Sequence, residues 1–191
     1  MNLPLLSGKD VYLRHPHADD ADEFVALRRA SWHLHQPWEP QPPEGVDPTG
    51  KSAFALFLNS SNTDTCQRHL VCRRSDDAIV AYVGLSQIVH GAFCSCYMGY
   101  WTGAPYVRRG YAAAGIALVL ERSFTRLGLH RVEANVVPEN HASLAVVRRC
   151  GLRQEGYSPR YLQIAGEWRD HERWAITYED WQAAESAASG A

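Results

Sequence analysis

The chain has 191 residues, 46% apolar and 21% charged, with a formal net charge of −2; this is ordinary globular composition, long enough to bury a core without disulfide staples. So small a net charge disfavours nucleic acid or an anionic membrane as partners through bulk electrostatics, and no apolar run reaches the roughly 18 residues of a membrane span. Residues Met1 to Gly8 lack the pattern of a secretory signal, and the five cysteines include no CxxC pair, so free thiols, no metal centre and a cytoplasmic location are expected.

In chain order, Val11 to Arg14 predicts a short strand. The acidic cluster Asp19, Asp20, Asp22 and Glu23 then opens a helix through about Arg29, because carboxylates favour a helix N-terminus. Ala21, Phe24, Val25 and Leu27 give that helix a core face. The stretch from Trp32 to Pro48 carries five prolines and is expected to form no regular element. A second helix follows at roughly Thr49 to Leu58, then strands near Arg68 to Arg73, Ile79 to Val89 and Phe93 to Trp101, with Ser75-Asp76-Asp77 and His90-Gly91 as turns.

Gly103 and Pro105 end the third of these strands. From Ala112 the period becomes helical: Ile116, Val119, Leu120, Phe124 and Leu127 recur at three- and four-residue steps, and Gly128 stands where a left-handed helix stop is wanted. The joining turn is Val107-Arg108-Arg109-Gly110-Tyr111-Ala112, and Ala113 follows. Its Gly and Ala residues let the unpaired N–H groups of the helix start approach a ligand closely, with Arg108 and Arg109 alongside, which suits a phosphate or pyrophosphate. It is no Walker A loop, since Tyr111 and Ile116 follow its glycines instead of Lys and Ser or Thr, and it lacks the third glycine of a dinucleotide fingerprint. Downstream, Arg131 to Val137 is a β-rich run ended by Pro138, Asn140 to Cys150 is a short helix closed by Gly151, and Gln154 to Ile164 pairs with Glu167 to Thr177 about Ala165-Gly166. Residues 1–181 are expected to form one domain and 182–191 a disordered tail. Pattern alone gives a single α/β or α+β domain.

Arg108-Arg109-Gly110-Tyr111-Ala112, a helix, then Pro138-Glu139-Asn140 with Ser143 and Cys150-Gly151-Leu152 together resemble the GNAT acetyltransferase superfamily. Within it, Arg14, Asp20-Ala21, Gln36-Pro37-Trp38-Glu39-Pro40, Gly99-Tyr100-Trp101 and Gly166-Glu167-Trp168-Arg169-Asp170 look like the RimJ/RimL branch, so the likeness spans Val11 to Trp181. The resemblance implies a mixed, mostly antiparallel sheet of about seven strands with about four flanking helices. It also implies a V-shaped splay between the fourth and fifth strands, Phe93 to Trp101 and Arg131 to Val137. In the family this cleft takes the pantetheine arm of acetyl-CoA on exposed strand-edge amides, while the pyrophosphate meets the turn at Val107 to Ala113.

By the same resemblance, backbone N–H groups around Gly99, Tyr100 and Trp101 polarise the thioester carbonyl, Asn140 bonds the pantetheine arm, and Ser143 donates to the departing sulfur as the catalytic residue. Ser143 also has a helix-start reading, its hydroxyl pairing with the Asn140 cap, and the two are not exclusive. Two positions depart from the pattern: Leu144-Ala145-Val146-Val147 offers no hydroxyl where many relatives carry a Tyr acid, and Val107 stands where Gln or Arg is frequent. The general base stays open: Asn135 could at most position a water, and Glu39, His33, His35 and Tyr97 are the alternatives.

The implied activity is transfer of an acetyl group from acetyl-CoA to a primary amine, with CoA as product and no metal. An α-amine of pKa about 8 is roughly a tenth neutral at pH 7, whereas a lysine at about 10.4 is neutral in under one molecule in a thousand. A site without an evident strong base therefore suits an N-terminal amine, and RimJ/RimL members act on the N-termini of ribosomal proteins. A ribosomal protein N-terminus is the expected acceptor, with the Trp32 to Pro48 stretch on the acceptor side. A small-molecule amine or antibiotic acceptor and a non-catalytic acyl-CoA-binding module stay open as alternatives, as do monomer and homodimer.

Overall fold

The structure is a computed structural model that describes residues 3–189. Its strands are β1 (Leu6–Ser7), β2 (Val11–Arg14), β3 (Cys66–Arg73), β4 (Ile79–Val89), β5 (Ser95–Thr102), β6 (Arg131–Val136), β7 (Arg153–Ile164) and β8 (Glu167–Thr177). Its α-helices are α1 (Ala21–His35), α2 (Lys51–Asn59), α3 (Tyr111–Thr125), α4 (His141–Arg149) and α5 (Tyr178–Ser189). All eight strands lie in one sheet of order β1-β2-β3-β4-β5-β6-β8-β7, antiparallel at every step except the parallel contact of β5 with β6.

The near-continuous apolar runs of β3 and β4 follow from cover on both faces. On one face Val71 and Val83 pack with Ile116 and Val119 of α3 and Val147 of α4. On the other, Leu70 and Ile79 pack with Phe24 of α1 and Phe54 of α2. Helix α3 lies close on the sheet because Gly115 has no side chain: a Cβ there would stand 2.5 Å from Cγ2 of Val71.

The decisive feature is how little β5 and β6 share. They pair only at Ser95↔Arg131, Cys96↔Val132 and Tyr97↔Glu133. Beyond Tyr97, β5 stays with β4 as far as Thr102 and β6 stays with β8 as far as Val136, so the two strands part and leave an internal edge. This is the splay expected between the fourth and fifth strands, here β5 and β6 because β1 adds a strand.

Two expectations are corrected. Helix α1 continues to His35 and a 3-10 turn occupies Gln36–Trp38, so the start of the proline-rich stretch is regular. The first proline is Pro37, and α1 needs N–H donors only as far as Gln36, whose N–H bonds to the Trp32 carbonyl. Residues 182–189 continue α5 where a disordered tail was expected; Tyr178 and Trp181 anchor it on Phe124, and its alanines favour helix. Gly190 and Ala191, also in that expected tail, lie outside the described residues. The acids stand where expected, with Asp22 and Glu23 in the first turn of α1, while the Asp20 carboxylate takes both Arg14 Nη donors at 2.7 Å and the His17 N–H at 2.7 Å, fixing how α1 leaves β2.

Gly115→Ala tests the close approach of α3. Alanine in a free helix stabilises by about 1 kcal/mol relative to glycine, so an open site would raise stability. Against stiff, buried Val71 the sign is expected to reverse, with a loss of about 1–2 kcal/mol by chemical denaturation.

Candidate functional site

A cavity of about 1520 Å³ opens where β5 and β6 part and runs from the turn before α3 to the β7–β8 hairpin. Tyr100, Trp101, Val107, Arg108, Gly110, Tyr111, Ala112, Ala113, Asn140 and Ser143 all line it; Arg109 does not. Gly110 is the N-cap of α3 at φ +81, and no side chain caps this helix. A Cβ on Gly110 would meet nothing within 4 Å, so it is the left-handed backbone that demands glycine there. Arg108 also takes positive φ, +60. The uncapped N–H groups of the first turn of α3 thus lie at the cavity wall with Arg108 and Arg149, an arrangement that holds an anionic group.

Asn140 caps α4, its Oδ1 accepting the Ser143 N–H at 3.1 Å. The helix-start reading of Ser143 is therefore corrected in one respect: its backbone, not its hydroxyl, meets the cap. The hydroxyl lies 2.6 Å from Oη of Tyr100, which also donates to the Ser143 carbonyl at 3.1 Å. Two hydroxyl protons share these contacts, so when the Tyr100 proton points to Ser143 Oγ, the Ser143 proton is free for a ligand. Burial holds the Tyr100 phenol well above the ordinary tyrosine range, keeping it protonated. Of the turn Leu144 to Val147, which offers no hydroxyl, Leu144 and Val147 are buried in the core.

Strand register sets the opposite wall. Tyr97 stands level with Glu133, and Glu133 with Ala175, so alternation puts Tyr97, Gly99, Trp101, Glu133, Asn135, Arg173 and His171 on the sheet face that α1 and α2 cover. Here the base candidates are engaged. Glu39 holds Arg28 at 2.9 and 2.7 Å, and Arg28, stacked 5.2 Å from the rings of both Trp32 and Trp101, also meets His35 Nδ1 at 2.9 Å. His35 Nε2 lies 3.0 Å from the Thr102 carbonyl, so both its ring nitrogens are occupied, and burial followed by Arg28 lowers its pKa. Tyr97 accepts from Tyr161 at 3.5 Å and is pushed up to about 12, first by that bond and then by burial. His33 is exposed and does not line the cavity. Asn135 has a buried Oδ1 without a partner.

Arg28, Tyr161, Leu162 and His171 belong to this region and were not singled out in the sequence. They come from α1 and the β7–β8 hairpin, where no local motif marks them: Arg169 to Arg173 are polar throughout, so no alternation singles out His171. Among the described residues no group of three or more His, Cys, Asp or Glu side chains could hold a metal ion, and no helix is long and apolar enough to cross a membrane.

Comparison with known proteins gives one consistent result. The Acetyltransferase (GNAT) domain family matches residues 10–153. The [Ribosomal protein uS5]-alanine N-acetyltransferase of Escherichia coli is 29% identical over 178 residues, 92% of each chain. The structure of Mycobacterium smegmatis RimJ in complex with CoA-disulfide superposes with a TM-score of 0.83 at 31% identity, covering 93% of this chain and 89% of that one. Spermidine N-acetyltransferase from Vibrio cholerae in complex with CoA and spermine shares the fold, with a TM-score of 0.76 at 21% identity over 92% of this chain and 99% of that one.

The Arg28–Glu39 pair separates a structural carboxylate from a catalytic one. The Arg28 side chain is 8% exposed and that of Glu39 30%. Glu39→Gln leaves the buried guanidinium without its counter-charge and is expected to lower stability by about 1–2 kcal/mol in urea unfolding. A general base at this position would instead abolish turnover at unchanged stability.

Proposed function

The chain belongs to the GNAT acetyltransferase family and is an N-acetyltransferase, and we propose that it moves an acetyl group from acetyl-CoA directly to the N-terminal α-amine of a protein, a ribosomal protein in particular. The observation that carries the choice of amine is the pairing of the two carboxylates that line the cavity, Glu39 and Glu139. Glu39 is held by Arg28 at 2.9 and 2.7 Å and Glu139 by Arg169 at 3.0 Å. Neither is open to receive a lysine or polyamine charged at neutral pH; an α-amine, already about a tenth neutral, needs no such partner. The peptide behind that amine can lie along Leu34, Trp38 and Leu162, an apolar rim of the same cavity.

The cofactor fits what the residues offer. The uncapped N–H groups of α3, with Arg108, suit its pyrophosphate, and the free edge of β5 beyond Tyr97 suits its extended arm and thioester carbonyl. Ser143 donates to the sulfur as it leaves, with Tyr100 holding the serine oxygen in place.

Two matched peptide sets test the acceptor, with acetylation followed by mass spectrometry: one set with free N-termini and no lysine, the other with blocked N-termini and one lysine. Acetylation confined to the first set is expected; acetylation confined to the second would overturn the reading. Ser143→Ala is expected to lower kcat by about a hundredfold while leaving acetyl-CoA affinity intact, whereas a chain that only binds acyl-CoA would show no turnover even unmutated.

A further inference from the structure

We propose that His171 is the general base of the transfer, taking a proton from the acceptor's α-ammonium group on its Nε2. The inference rests on the reading just given and deepens it.

His171 is 2% exposed and lines the cavity. Its Nδ1 lies 3.0 Å from the Arg169 carbonyl oxygen. A carbonyl can only accept, so Nδ1 carries the proton and Nε2 presents its lone pair. No described residue bonds that Nε2, and Tyr161 packs edge-on at 5.7 Å, fixing the ring plane. The contrast with other buried imidazoles is informative. Both nitrogens of His35 are bonded, and His69, held by the Val83 carbonyl at 3.1 Å, does not line the cavity.

Register places the ring where an acceptor must enter. Arg173 pairs with Asn135 on β6, past the last β5–β6 pair at Tyr97↔Glu133, and His171 lies two residues farther toward the opening, about 7 Å along the strand. Asn135, one strand away on the same face, offers its unpartnered Oδ1 as a second acceptor for an ammonium. Facing His171 are Tyr161 from β7, Tyr97 from β5 and Asn135 from β6, with Arg169, Asp170 and Arg173 on its own strand and Glu139 paired to Arg169. Burial first, and then the Arg169 charge, lower its pKa against the raising effects of the Arg169 carbonyl and Asp170, so the imidazole is neutral at pH 7. Proton transfer to such a base is uphill by more than about tenfold from an α-ammonium but by more than about a thousandfold from a lysine, which sharpens the preference for N-termini.

The step balances. Imidazole removes one proton from R–NH3+, and the freed nitrogen pair forms the C–N bond to the acetyl carbon. The C–S bond breaks with its pair on sulfur, and a second nitrogen proton reaches the thiolate by way of the Ser143 hydroxyl. His171 returns its proton to solvent, so one proton is released per turnover.

The test is kcat/KM against pH, between about pH 5.5 and 9.5, for the full chain and its His171→Asn, His171→Gln and His171→Ala variants on a free-N-terminus peptide. The variants are expected to lose about a hundredfold at pH 7, to regain tenfold per pH unit up to the amine pKa, and to keep acetyl-CoA affinity; free imidazole should partly rescue His171→Ala. Unchanged rates, or a loss with the parent pH profile and no rescue, would overturn the proposal. Should the variants fail to bind acetyl-CoA, 15N NMR of the parent decides: an Nδ1–H tautomer titrating with the acidic kinetic limb supports the role, and an Nε2–H tautomer sinks it. Failure of the acceptor reading looks different, since the parent would then not acetylate α-amines, and the same series would be run on the amine it does accept.

Discussion

Everything at this site depends on the parting of β5 from β6 after Tyr97. A buried strand edge is costly, because each unpaired N–H or carbonyl forgoes a hydrogen bond. Ordinary sheets close such gaps. Here β5 follows β4 out to Thr102 while β6 follows β8 out to Val136, so the two parts of the sheet diverge. The gap is kept open from within as well. Tyr100 leaves β5 on the α3 and α4 face and reaches Ser143 at the start of α4, spanning the split with a side chain where backbone pairing has stopped.

The two faces of the split differ in chemistry for reasons that trace to separate helices. On the α3 and α4 face, an uncapped helix start and arginines make a place for negative charge. On the α1 and α2 face, Arg28 lies between two indole rings and takes up both Glu39 and His35, so the end of α1 and the proline-rich stretch after it form a fixed, electrically quiet floor. One extended anionic ligand and one amine can thus meet across a sheet without competing for the same groups.

What was legible in the sequence was what acts through local backbone. Gly128 and Gly151 take the positive φ of the helix stops they were read as, and Asn140 caps the helix it precedes. The pairing of Tyr100 with Ser143, 43 residues apart, depends on how a helix docks against a strand, which no local pattern records. His35 and Glu39 looked available as bases because their partner Arg28 sits earlier, inside a helix whose length the prolines obscured. His171 was one histidine among nine until the register of β6 with β8 put it across the split. The tail of helix α5 was missed because it is short and rich in small residues, with no apolar stripe, and the packing of Tyr178 and Trp181 on Phe124 anchors the helix whose course its alanines extend.

A base of lowered pKa is a weak base, and the fitness of His171 for its proposed role follows from the acceptor environment rather than from its own strength. An ammonium group brought out of water into a site whose carboxylates are already paired loses solvation and gains little counter-charge, so its own pKa falls. The same desolvation depresses His171, and the two groups are moved in the same direction. What matters is the difference between them, which stays small for an α-ammonium and large for a lysine. An open carboxylate would reverse that logic by anchoring the charged amine and resisting its deprotonation. In the proposed reaction, keeping Glu39 and Glu139 occupied with partners of their own is therefore as much a part of the choice of amine as any group that touches the amine.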